Sequence, residues 1–86
     1  MSVPSRKLTI ERTLSVSAEL EREDEGLSDM LFEAASALLE LVRVGHLPGP
    51  EDSWLIGLDH GDCPMVADND AGRTILWDSI RLTWLI

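Results

Sequence analysis

The chain has 86 residues, enough for one small domain spanning 1–86. Sixteen Asp and Glu against seven Lys and Arg give a formal charge of −9. That balance argues against direct nucleic-acid binding, which rests on cations that neutralise phosphates. It favours a partner with a basic protein surface.

Residues 7–21, KLTIERTLSVSAELE, alternate apolar and polar. Leu8, Ile10, Leu14, Val16, Ala18 and Leu20 share one parity, broken by Arg12. Side chains change face at every strand residue, so the pattern predicts a long strand with one buried face. Arg12 would mark a bend, or an edge that resists stray pairing. Residues 21–26, EREDEG, read as a solvated connector.

The period then changes. Leu27, Met30, Leu31, Ala34, Ala35, Leu38, Leu41 and Val42 form an apolar helical face. Asp29, Glu33, Ser36, Glu40 and Arg43 form the polar stripe opposite. Ser28 is the expected N-cap and Gly45 the expected stop, which predicts a helix over 28–44. Pro48 and Pro50 keep it from resuming.

Residues 50–58 suit either a short helix begun at Pro50 or a buried strand in SWLIGL, and the β-rich remainder favours the strand. PMVA and RTILW flank DNDAG, a hairpin signature. Asp78 and Ser79 turn the chain into IRLTWLI, where Ile80, Leu82, Trp84 and Ile86 share one parity. A helix beginning at Asp70 is the rival; β-branched and aromatic content favours strands. The expected fold is α+β, roughly β-α-β-β-β: an antiparallel sheet of about four or five strands with one amphipathic helix on one face. Trp54, Trp77 and Trp84 are core candidates, with room for one at an interface.

Residues 58–70, LDHGDCPMVADND, hold a histidine, the lone cysteine and four aspartates. Asp59, His60, Asp62 and Cys63, with His46, would be zinc ligands, but structural zinc usually takes two spaced pairs and no second pair exists. Cys63 with His60 lacks any assurance of a held geometry for nucleophilic chemistry. Asp68 and Asp70 lack the closing Glu of a calcium loop. Asp, Asn, Gly and Pro are what turns require, so turn chemistry is the expectation here. No catalytic centre, metal or cofactor is expected.

The acidic residues remain. Glu19, Glu21 and Glu23 would share one strand face at roughly 7 Å spacing. Glu33 and Glu40 line the helix's exposed stripe. These five are the expected contact residues of a binding module that occludes a basic surface. By size and charge the chain is similar to small accessory proteins: inhibitors, anti-CRISPRs, immunity proteins and secretion chaperones. The alternative is a self-associating dimer with a metal or ligand site at Asp59, His60 and Cys63. The start of the chain lacks the apolar run of a secretory leader and no stretch is long enough to span a membrane, so the expected location is cytoplasmic.

Overall fold

The segment expected to be one long strand turns after three residues into a helix. In the computed structural model, which describes residues 7–58 and 65–86, β1 (Lys7–Thr9) runs directly into α1 (Ile10–Leu20). Thr9 is both the last strand residue and the N-cap: its hydroxyl accepts the Arg12 N–H at 3.1 Å. Ile10, Thr13 and Ser17 are buried, with Leu14 and Leu20 half-buried beside them. That spacing is helical. The alternation misleads because two buried positions carry hydroxyls and look wet. Thr13 is satisfied by donating to the Thr9 carbonyl at 2.9 Å. Arg12 marks no bulge; it stands on the exposed side of α1.

A tight turn leads to α2 (Glu25–Arg43), so two helices cover the sheet rather than one. Asp24 caps α2, accepting the Leu27 N–H at 3.0 Å. Ser28 is not the cap. It is buried one turn in, where its hydroxyl donates to the Ser17 carbonyl at 2.6 Å while Ser17 donates to the Ser28 carbonyl at 2.7 Å. The Ser17 carbonyl lies in the last turn of α1, where helical donors run out, so α2 supplies a missing partner for α1. Gly45, at φ 81°, ends α2 as expected, and the N–H groups of His46 and Leu47 fold back on the Leu41 carbonyl.

After a single 3₁₀ turn (Glu51–Ser53), the chain makes β2 (Trp54–Leu58), β3 (Met65–Asn69), β4 (Thr74–Asp78) and β5 (Thr83–Leu85). The favoured strand reading of 54–58 and the 65–78 hairpin agree with this. The last strand is shorter than IRLTWLI suggests: Asp78 accepts the Ile80 and Arg81 N–H groups at 2.9 and 3.1 Å, and Leu82 sits at φ 55°. Ile80 and Leu82 are exposed, and only Trp84 of their parity is buried.

The five strands form an antiparallel sheet in chain order, β1-β2-β3-β4-β5. The helical pair is inserted between the neighbours β1 and β2. Register puts Leu8, Ile56, Ala67 and Ile75 in one row. Trp54, Met65, Trp77 and Trp84 point the same way and are buried against Ile10, Leu31, Ala34, Ala35 and Leu38 of the helices. All three tryptophans are buried, so none is left for an interface. Ala34 and Ala35 are small enough for indole to reach the helix backbone, and Trp84 Nε1 donates to the Ala34 carbonyl at 2.9 Å.

A polar network spans the opposite, open face. Lys7 of β1 pairs with Asp68 of β3, which also accepts the Thr74 hydroxyl of β4 at 2.7 Å. The Lys7 ammonium bonded to it and the Thr74 hydroxyl hold the Asp68 carboxyl below the ordinary aspartate value, against a smaller opposing effect of burial. A depressed carboxyl stabilises the fold above its unfolded-state value and loses that contribution as pH falls through the folded one. Asp68→Asn should therefore melt below the parent at pH 7, and the gap should shrink as pH drops below about 4. Melting curves of both proteins from pH 7 to roughly pH 2 check this; a gap that stays constant would show that Asp68 acts otherwise.

Candidate protein-binding surface

Residues 10–43, the helical pair, carry nine acids and three arginines. Most of that excess faces away from the sheet. On α2, Asp29, Glu33 and Glu40 are exposed and recur at helical spacing, as the expected polar stripe requires. On α1 the expectation changes. Positions 19 and 21 are about 200° apart around a helix, not side by side as on a strand. Glu19 lies near Arg12, at 3.9 Å, on the exposed face of α1. Glu21 and Glu23 occupy the turn that joins the helices, with Asp24, and Glu25 opens α2.

Glu21 has a second neighbourhood. A cavity of about 410 Å³ opens between α1 and α2, with Leu14, Ala18 and Phe32 as apolar lining and Glu21 and Asp29 as acidic lining. Ser17 and Ser28, each donating to the other's carbonyl, contribute to the same wall. Phe32 is 57% exposed, an aromatic ring on the acidic side of α2. A further cavity of about 330 Å³ shares Leu14 and is lined by Glu11, Glu51 and Asp52, with Arg43 3.8 Å from Glu51. The two hollows make an apolar seam with acidic margins. Such a seam suits a cationic group carried beside an apolar one, since a desolvated apolar centre inside a charged rim is the usual anatomy of an anchor pocket.

The sequence reading does not pick out Phe32 or the seam. The available signal was an aromatic residue flanked by Asp29, Glu33 and Ser36 on a polar stripe. Asp59, His60, Asp62 and Cys63 lie outside the described residues. His46 is exposed just beyond α2. Among the described residues no three His, Cys, Asp or Glu side chains are grouped to hold a metal ion. No helix among them is long and apolar enough to cross a membrane. No protein-family model, no curated protein and no solved structure matches this chain.

Proposed function

We propose that this protein is a binding module without chemistry of its own, and that its acidic helical layer docks on a basic surface of a protein partner and occludes it. The roles in view are those of inhibitors, anti-CRISPRs, immunity proteins and chaperones. Segregation of charge supports this reading. Charge that served solubility alone would be spread over the surface, whereas here nine acids stand on the helical pair and the open sheet face has its lysine paired. Glu21 and Asp29 beside Phe32 would seat a cationic side chain next to an apolar one. Glu33 and Glu40 would steer approach along α2, and Glu19 and Glu23 would extend the field over α1 and the turn.

The test replaces Glu19, Glu21, Glu23, Glu33 and Glu40 with Gln, which keeps shape and removes charge. Partners are captured from source lysate at low and high salt, identified by mass, and the purified partner is titrated with both proteins. The expected result is a basic partner released by salt and bound at least tenfold more weakly by the neutralised protein. Equal affinity of the two proteins, or no salt-sensitive partner, overturns the reading.

A further inference from the structure

Among the described residues, seven large apolar side chains are exposed, and Leu76, Ile80, Leu82, Leu85 and Ile86 are five of them. They belong to the last two strands and their turn. Leu76 and Leu85 are paired in register, and Val66 pairs with Leu76 and Gly57 with Val66. A single row, Gly57-Val66-Leu76-Leu85, therefore crosses four strands on the face away from the helices. We propose that this open face binds a second copy of the chain, sheet against sheet, giving a two-fold dimer with both helical layers outward.

Charge selects the second copy as the occupant. A chain of −9 repels its own kind wherever unpaired acids stand. On this face Lys7 and Asp68 neutralise each other. Asp78, at its margin, is 4.0 Å from Arg81 and accepts two backbone N–H groups. Covering these groups leaves no bare charge, so the desolvation cost is that of paired ions and not the larger one of lone ions. The helical side instead exposes Glu19, Asp29, Glu33 and Glu40. Two copies therefore meet with least repulsion back to back.

The size of the face sets the strength. Three strands of five residues and two of three, about 4.8 Å apart and rising about 3.4 Å per residue, cover about 340 Å² per copy. Ile80, Leu82 and Ile86 extend it at one end. Even with that extension the total stays below the roughly 1,200 Å² of standard interfaces, so the dimer is weak and depends on concentration. The turn that carries Ile80 and Leu82 is held in advance: Asp78 fixes it, and Leu82 keeps a left-handed backbone that leucine rarely adopts. Two antiparallel sheets packed about 10 Å apart would let the leucine rows interdigitate.

This interface is independent of the acidic layer, and salt separates the two. Screening weakens attraction to a basic partner but relieves repulsion between two acidic copies. Sedimentation equilibrium of the full chain, from micromolar to near-millimolar, should show mass rising from 9.5 kDa towards twice that value, and further at high salt. The pair Leu76→Lys and Leu85→Lys should weaken association at least tenfold while the far-ultraviolet spectrum stays unchanged. Concentration-dependent amide shifts in the unmodified protein should centre on Val66, Leu76 and Leu85 and spare Glu33 and Glu40; this reading stands even if the lysine variant does not fold. Monomer mass at every concentration, undiminished association of a folded lysine variant, or shifts centred on the helices each overturn the proposal.

Discussion

Replacing Trp84 with alanine should lower the free energy of unfolding by about 3–5 kcal/mol. Small domains hold roughly 5–15 kcal/mol in total, so the variant should be partly unfolded at room temperature or melt far below the parent. Three contacts meet at this ring. It is 3% exposed, it packs edge-on against Trp77 with centroids 5.1 Å apart, and its N–H reaches the Ala34 carbonyl fifty residues away in sequence. β5 has only three residues and one paired neighbour, so Trp84 is its principal tie to the helices. Alanine leaves a cavity between sheet and α2 that the rigid elements around it cannot close. Trp84→Phe separates the contributions: most of the packing stays, the hydrogen bond goes, and the expected cost is about 1–2 kcal/mol. Urea titrations of the three proteins check the order. A Trp84→Ala cost below about 1 kcal/mol would mean that β5 is held by something other than this anchor.

The second large effect is expected at Asn69, which the sequence offers as one more turn residue. It does make the turn, since its Oδ1 accepts the Ala71 N–H at 2.7 Å. It also ends β3 at 7% exposure, and its Nδ2 donates to the Pro48 carbonyl and the Ser53 hydroxyl at 3.2 and 3.1 Å. Trp54 Nε1 reaches the same Pro48 carbonyl at 3.0 Å. One amide thus closes the β3–β4 turn and fastens the segment that brings the chain from α2 to β2. Gly49 belongs to the same device: it sits at φ 85°, and a β-carbon there would come within 2.7 Å of Ser53 Oγ. Asn69→Ala abandons several partly buried polar partners together, at a cost of about 2–4 kcal/mol. Urea unfolding gives the magnitude. Hydrogen exchange gives the location: faster exchange at Asp70, whose N–H donates to the Ser53 carbonyl at 3.2 Å, and at Ser53, whose N–H donates to the Pro50 carbonyl at 3.0 Å. Loss of stability without faster exchange there would remove Asn69 from this role.

The parts of the fold read correctly from sequence are those whose buried positions are predominantly apolar, with Ser28 in α2 and Asn69 at the end of β3 as the buried polar exceptions. α2, β2 and the β3–β4 hairpin belong to this group. α1 escaped because Thr13 and Ser17 are buried on hydroxyls satisfied by backbone carbonyls, which leaves an alternation that mimics a strand. The end of the chain escaped because Asp78 binds two successive N–H groups and spends Ile80 to Leu82 on a turn. The proposed contact residues divide in the same way. Glu33 and Glu40 keep the stripe that the helical period assigned them. Glu19, Glu21 and Glu23 do not share a face, because that expectation depended on the strand. The hollow beside Phe32 depends on how two helices meet, which no periodicity within one helix encodes.

Thr9 carries a mechanical consequence. Strand and helix share that residue with no loop between them, so a displacement in one has nowhere to be absorbed. Sliding β1 by one residue against β2 would exchange its two faces. The same slip would turn α1 by about 100° and advance it about 1.5 Å. Ser17 would then be carried away from Ser28, and Ile10 out of the core. The alignment of the first strand and the rotation of the first helix are geared together, so one degree of freedom sets both.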